Sequence, residues 1–77
     1  LVFEKAPLSE ILDEVERFYG IKIRLLNRNL AEETLTAAFA NLPLSTVLES
    51  LSLSCGTAYK ARSENQIDFG ISIEGGS

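Results

Sequence analysis

The chain has 77 residues, 45% of them hydrophobic and 23% charged, a balance that fits one small folded domain and excludes a disordered segment. Seven basic residues against eleven acidic ones give a net charge of -4, which argues against a nucleic-acid partner, since that would call for a basic face. With no histidine, one cysteine and no glycine-rich phosphate loop, the usual zinc sites, imidazole acid–base catalysis and nucleotide cradles are excluded, so no metal or cofactor is expected.

A short strand is predicted first, ending near Phe3. Pro7 then opens a helix, because its fixed φ suits the first helical position, where an N–H is not needed. Leu8, Ile11, Leu12, Val15, Phe18 and Tyr19 follow the helical period, with Glu10, Asp13, Glu14, Glu16 and Arg17 opposite. Gly20 ends the helix as a left-handed residue. Ile21, Ile23 and Leu25 alternate with Lys22, Arg24 and Leu26, the pattern of a strand with one buried face. Residues 27–33 read as a loop with room for one helical turn, anchored by Leu30.

The plan then recurs. Residues 34–39 are rich in β-formers, and Pro43 opens a helix with Leu44, Val47, Leu48, Leu51 and Cys55 on one face. Gly56 closes it, and Thr57, Tyr59 and Ala61 alternate with Ala58, Lys60 and Arg62. After the polar turn Ser63-Glu64-Asn65, a last strand is predicted over about 66–73, with Ile67, Phe69, Ile71 and Ile73 on one face. The tail 74–77 is expected to be disordered. The chain lacks methionine and begins within a strand, so it is expected to be a piece of a longer protein, with any signal or membrane anchor outside it.

At an offset of 36 residues the chain matches itself: Phe3 with Phe39, Pro7 with Pro43, Leu8 with Leu44, Ser9 with Ser45, Leu12 with Leu48 and Gly20 with Gly56. Ile11 with Val47, Val15 with Leu51 and Ile23 with Tyr59 keep their apolar character. A period of this length marks a repeated supersecondary unit. The predicted fold is therefore α+β, a duplicated β-α-β unit in the order β-α-β-β-α-β-β, with two helices packed on small sheets. Its copies span about 1–26 and 34–62 of a single domain covering 1–73. Neither helix can bury its apolar stripe alone.

Candidate chemistry is sparse. Cys55 takes the helix position equivalent to Tyr19, which suits an apolar packing role. Ser9 and Ser45 have no base in sequence reach, and the acids of the first helix lie on its solvent face, so no catalytic set is expected. The residues left to bind a partner are Arg17, Lys22 and Arg24, with Arg28 nearby. Leu53 joins them, off the apolar stripe of the second helix at the position equivalent to Arg17. So do Ile67, Asp68 and Phe69, expected to form part of an open strand edge that can accept a partner strand.

The run Phe3-x-x-x-Pro7-Leu8-Ser9-Glu10-Ile11-Leu12, followed by Glu16-Arg17-Phe18-Tyr19-Gly20-Ile21-Lys22-Ile23, resembles the C-terminal domain of FecR-type anti-sigma factors from Bacteroidota. Leu30-Ala31, Phe39-x-x-x-Pro43-Leu44, Leu48-x-x-Leu51-Ser52-Leu53, Tyr59-Lys60 and Ile67 extend the resemblance to about residue 73. The last strand departs from it, because Asp68 and Gly70 interrupt a run that is usually more apolar. The chain is also similar to the short N-terminal domain of secretins and TonB-dependent receptors, where it would act as sender or assembly element. The first resemblance implies a non-enzymatic periplasmic domain of an inner-membrane-anchored protein. It would receive a signal from the signalling domain of an outer-membrane TonB-dependent transporter and regulate an extracytoplasmic-function sigma factor.

Overall fold

The computed structural model describes residues 1–73; the expectation for the tail lies outside them. The order is β1 (Val2–Pro7), α1 (Leu8–Tyr19), β2 (Lys22–Leu25), a one-turn 3-10 helix (Arg28–Leu30), β3 (Thr34–Ala38), α2 (Leu44–Cys55), β4 (Ala58–Ser63) and β5 (Gln66–Ile71). This is the α+β class predicted, with two helices and two small sheets. The last strand stops at Ile71, two residues short of the predicted end.

The two helices start and stop at the same offset of 36 residues. Pro7 and Pro43 stand one residue outside the first helical position, as N-caps with φ, ψ of -65°, 146° and -66°, 153°. Proline offers no side-chain acceptor, so the first amides of a helix need other partners. In α1 they find the connector: Leu8 N donates to Glu33 O at 2.8 Å and Ser9 N to Ala31 O at 3.2 Å. Both helices end alike, on glycines at φ 66° and 64°. Past each glycine the next amide closes the same six-residue loop, Ile21 N to Glu16 O at 3.1 Å and Thr57 N to Ser52 O at 2.9 Å.

β1 and β3, the leading strands of the two copies, pair antiparallel as a two-stranded sheet. The ladder runs on past β3, because Leu1 and Phe39 exchange both backbone hydrogen bonds, at 2.7 and 2.9 Å. A bulge between Phe3 and Ala6 puts Lys5 at φ 47°, where its amide donates to Thr36 Oγ1 at 3.0 Å.

The second sheet is three-stranded, in the order β2-β5-β4. β5 is parallel to β2 and antiparallel to β4, with Ile23 opposite Ile67 opposite Ala61, and Leu25 opposite Phe69 opposite Tyr59. These residues form the inner face. All but the exposed Ala61 share one core with Leu8, Ile11, Leu12 and Val15 of α1, Val47, Leu48 and Leu51 of α2, and Phe3 and Phe39 of the other sheet. The two phenylalanines meet edge to face at 6.5 Å. Burying each such aliphatic side chain contributes about 1.5–3 kcal/mol against exposure. Leu30, at the end of the 3-10 turn, anchors the connector in this core.

Phe18 does not join the predicted apolar stripe. It is 63% exposed and packs edge-on against Tyr19 at 4.9 Å, while the Tyr19 hydroxyl donates to Leu42 O at 2.7 Å. The last turn of α1 offers the core one aromatic position, and Tyr19 takes it.

Candidate partner-binding surface

β5 is the middle strand of its sheet, and that position decides the fate of three predicted contact residues. Ile67 and Phe69 are core side chains on the inner face and form no open edge. The expectation that they and Asp68 line an accessible strand is thus corrected, because β2 and β4 cover both sides of β5.

Asp68 points to the opposite, outer face and is nevertheless only 1% exposed. It lies directly across from Arg24 on β2 and Lys60 on β4. Arg62 Nε donates to Asp68 Oδ2 at 2.7 Å, and Arg24 reaches the same oxygen at 3.4 Å through one Nη. Asp68 Oδ1 is buried and accepts no hydrogen bond from the described residues. The Arg62 hydrogen bond is the main reason the Asp68 carboxyl is held below the usual carboxylate range; the Arg24 charge adds to it, and loss of water works against both. The carboxylate is covered by two guanidinium groups whose own side chains stay largely exposed, so it is a lidded surface charge more than a core one.

Lys22 lies one pleat along the same outer face, opposite Gln66. This face therefore gathers Lys22, Arg24, Lys60 and Arg62 around Asp68, four of the chain's seven basic residues about one acid. Lys60 and Arg62 were not among the predicted contacts. Their signal was available in the alternation of Ala58, Lys60 and Arg62 along β4, but only the pairing shows that this alternation faces the same way as Lys22 and Arg24.

Arg17 is exposed on α1, 3.5 Å from Glu14, and lines a shallow depression with Asp13, Glu16, Ile21 and Lys22. Leu53 is 74% exposed on α2, apart from the basic face, in a second depression with Thr46, Glu49 and Ser50. The structure thus unites Lys22, Arg24 and Asp68, sets Arg17 beside Lys22, and leaves Leu53 separate.

The outer edges of β2 and β4 pair with no further strand among the described residues. The β2 edge is partly closed: Glu16 Oε2 accepts from Ile23 N at 2.6 Å, on the side away from β5. β4 carries exposed Lys60, Ala61, Arg62 and Ser63 along its length. Among the described residues no three metal-capable side chains cluster, and no helix is long and apolar enough to cross a membrane.

Residues 1–69 match the family described as FecR, C-terminal. The chain belongs to that family. Two crystal structures of a proposed anti-sigma factor from Parabacteroides distasonis share the architecture of this FecR C-terminal domain. One superposes with a TM-score of 0.81 at 25% identity, and the other with 0.78 at 26%. In both cases the match covers 95% of this chain and 34% of the other, so the FecR C-terminal domain spans about a third of those proteins. No curated protein matches the chain.

Proposed function

We propose that this chain is the periplasmic receiving domain of a FecR-like anti-sigma factor, a regulatory and non-enzymatic module. By direct protein contact it takes a signal from the signalling domain of an outer-membrane TonB-dependent transporter. Through the remainder of its protein, including an inner-membrane anchor, it regulates an extracytoplasmic-function sigma factor. The family match over residues 1–69 carries this reading, and the likeness to the Parabacteroides protein supports it. The geometry agrees with a binding module, since two ion pairs to Asp68 lie on an exposed sheet face beside β4, whose outer edge pairs with no further strand among the described residues.

The test is a calorimetric titration of the protein's whole periplasmic region with the signalling domain of its cognate transporter. Saturable binding tighter than about 100 μM, near -5.5 kcal/mol, is expected. A flat titration at millimolar concentrations of both partners would sink the proposal.

A further inference from the structure

The outer face of the β2-β5-β4 sheet has a charge opposite to that of the chain. Four cations surround one carboxylate there, while the molecule as a whole carries -4. The carboxylate organises the cations as well as neutralising one of them. Both guanidinium groups converge on Asp68 Oδ2, Arg62 through Nε and Arg24 through a single Nη. Each keeps further N–H donors directed elsewhere, and a planar fork is the donor geometry that suits a second carboxylate. The Arg24 contact is long at 3.4 Å, so that guanidinium can turn to a competitor at little loss, while Arg62 at 2.7 Å stays fixed. Lys22 and Lys60 flank the pair with no hydrogen bond to Asp68.

This face adjoins the outer edge of β4, which pairs with no other strand among the described residues. Side chains on one face of a regular strand repeat at roughly 7 Å; Lys60 and Arg62 stand two residues apart on β4, where the register against β5 shifts between Ala61 and Ser63. A strand laid beside β4 with an acid at every second residue would place its carboxylates opposite these cations. The same charges discourage a second copy of β4 from pairing there, because like charges would meet. Phosphate polymers are disfavoured by the net negative charge of the molecule, which opposes their approach from a distance.

We propose that the outer face of the β2-β5-β4 sheet, with the open β4 edge, receives an extended Asp- or Glu-rich polypeptide segment. The proposal deepens the reading above and rests on the chain being a protein-receiving domain. Backbone pairing with β4 supplies the register, and Lys60, Arg62, Arg24 and Lys22 select for acid.

The experiment uses the 77-residue chain and fluorescent peptides of alternating Glu and Thr, or of alternating Lys and Thr. The acidic peptide is expected to bind with an affinity that falls as salt is raised, and to shift the amide resonances of β4 most. The variant Lys22→Glu/Lys60→Glu, which keeps Arg24, Arg62 and Asp68 themselves, is expected to lose at least about tenfold in affinity. Arg62→Gln gives a second reading at the cluster itself. No binding of the acidic peptide, equal binding of the lysine peptide, or unchanged affinity in Lys22→Glu/Lys60→Glu overturns the proposal. So does tighter binding of phosphatidylglycerol vesicles or of a single-stranded DNA oligonucleotide, either of which would assign the face to phosphate. The peptides contain no transporter sequence. Their failure therefore leaves the receiving role standing, and a flat titration with the signalling domain leaves the acidic-segment site standing.

Discussion

Asp68 concentrates the electrostatics of this domain in one side chain. Its folded carboxyl ionises below the ordinary value near 4, through the Arg62 hydrogen bond first and the Arg24 charge after it. A depressed acid stabilises the fold above its unfolded pKa, and that contribution disappears as pH falls through the folded value. Thermal melts of the wild-type chain are therefore expected to shift downward below about pH 4. Asp68→Asn should melt lower at neutral pH and lose this part of the acid dependence; parallel pH profiles for the two chains would contradict the assignment. Cys55 shows the opposite displacement: burial first, and the Glu33 charge second, push its thiol up. Little thiolate then forms at neutral pH. Alkylation by iodoacetamide, followed by mass spectrometry, should be several-fold slower in the folded chain than in urea. Equal rates would show that Cys55 is not held among its neighbours.

The ends of the elements separate local rules from distant ones. Gly20 and Gly56 each adopt a left-handed conformation, and a β-carbon at either would meet nothing within 4 Å. The cost of Gly20→Ala or Gly56→Ala is then conformational alone, about 1–2 kcal/mol and alike in the two copies by urea denaturation. Gly70 differs. At φ 98° its β-carbon would also lie 3.1 Å from Asn27 N, so Gly70→Ala should cost clearly more than either capping change. Both helices were legible in the sequence because proline, glycine and a 3.6-residue stripe act within a few residues of one another. The central place of β5 was not, because its parallel pairing joins Lys22 to Gln66 across most of the chain. Asp68 also misled, since an acid in a strand suggests an edge unless its cations are known. Arg24 and Arg62 arrive from the strands on either side. The bulge at Lys5 had no glycine or asparagine to announce it.

For the molecule as a whole, the decisive fact is that neither copy has a core of its own. Leu8, Ile11 and Val15 of the first copy and Val47, Leu48 and Leu51 of the second belong to the same buried cluster. Leu48→Ala should cost about 2–5 kcal/mol. Against a total of roughly 5–15 kcal/mol, and nearer the lower figure for so small a chain, that is enough to populate unfolded molecules. Leu53→Ala, on the exposed face of the same helix, should shift stability by no more than about 0.5 kcal/mol. Comparable losses in the two variants, measured by chemical denaturation, would mean that the assigned core is wrong. The duplicated plan could be read from matched residues, but the basic face could not. It assembles from two strands belonging to different copies, and only the strand lying between them brings their charges together.

The directions of the strands around β5 carry a consequence for ancestry. β2 runs with β5 and β4 runs against it, so β2 and β4 oppose each other, just as β1 opposes β3. Two identical half-molecules related by a twofold axis would produce these oppositions unaided, but they would leave a slot on the axis, roughly 10 Å from one outer strand to the other. A slot on a twofold axis has room for a single occupant, which cannot be contributed equally by twins. Fusing the halves into one gene resolves that conflict, because a lone strand can be appended to the later half without a counterpart in the earlier one.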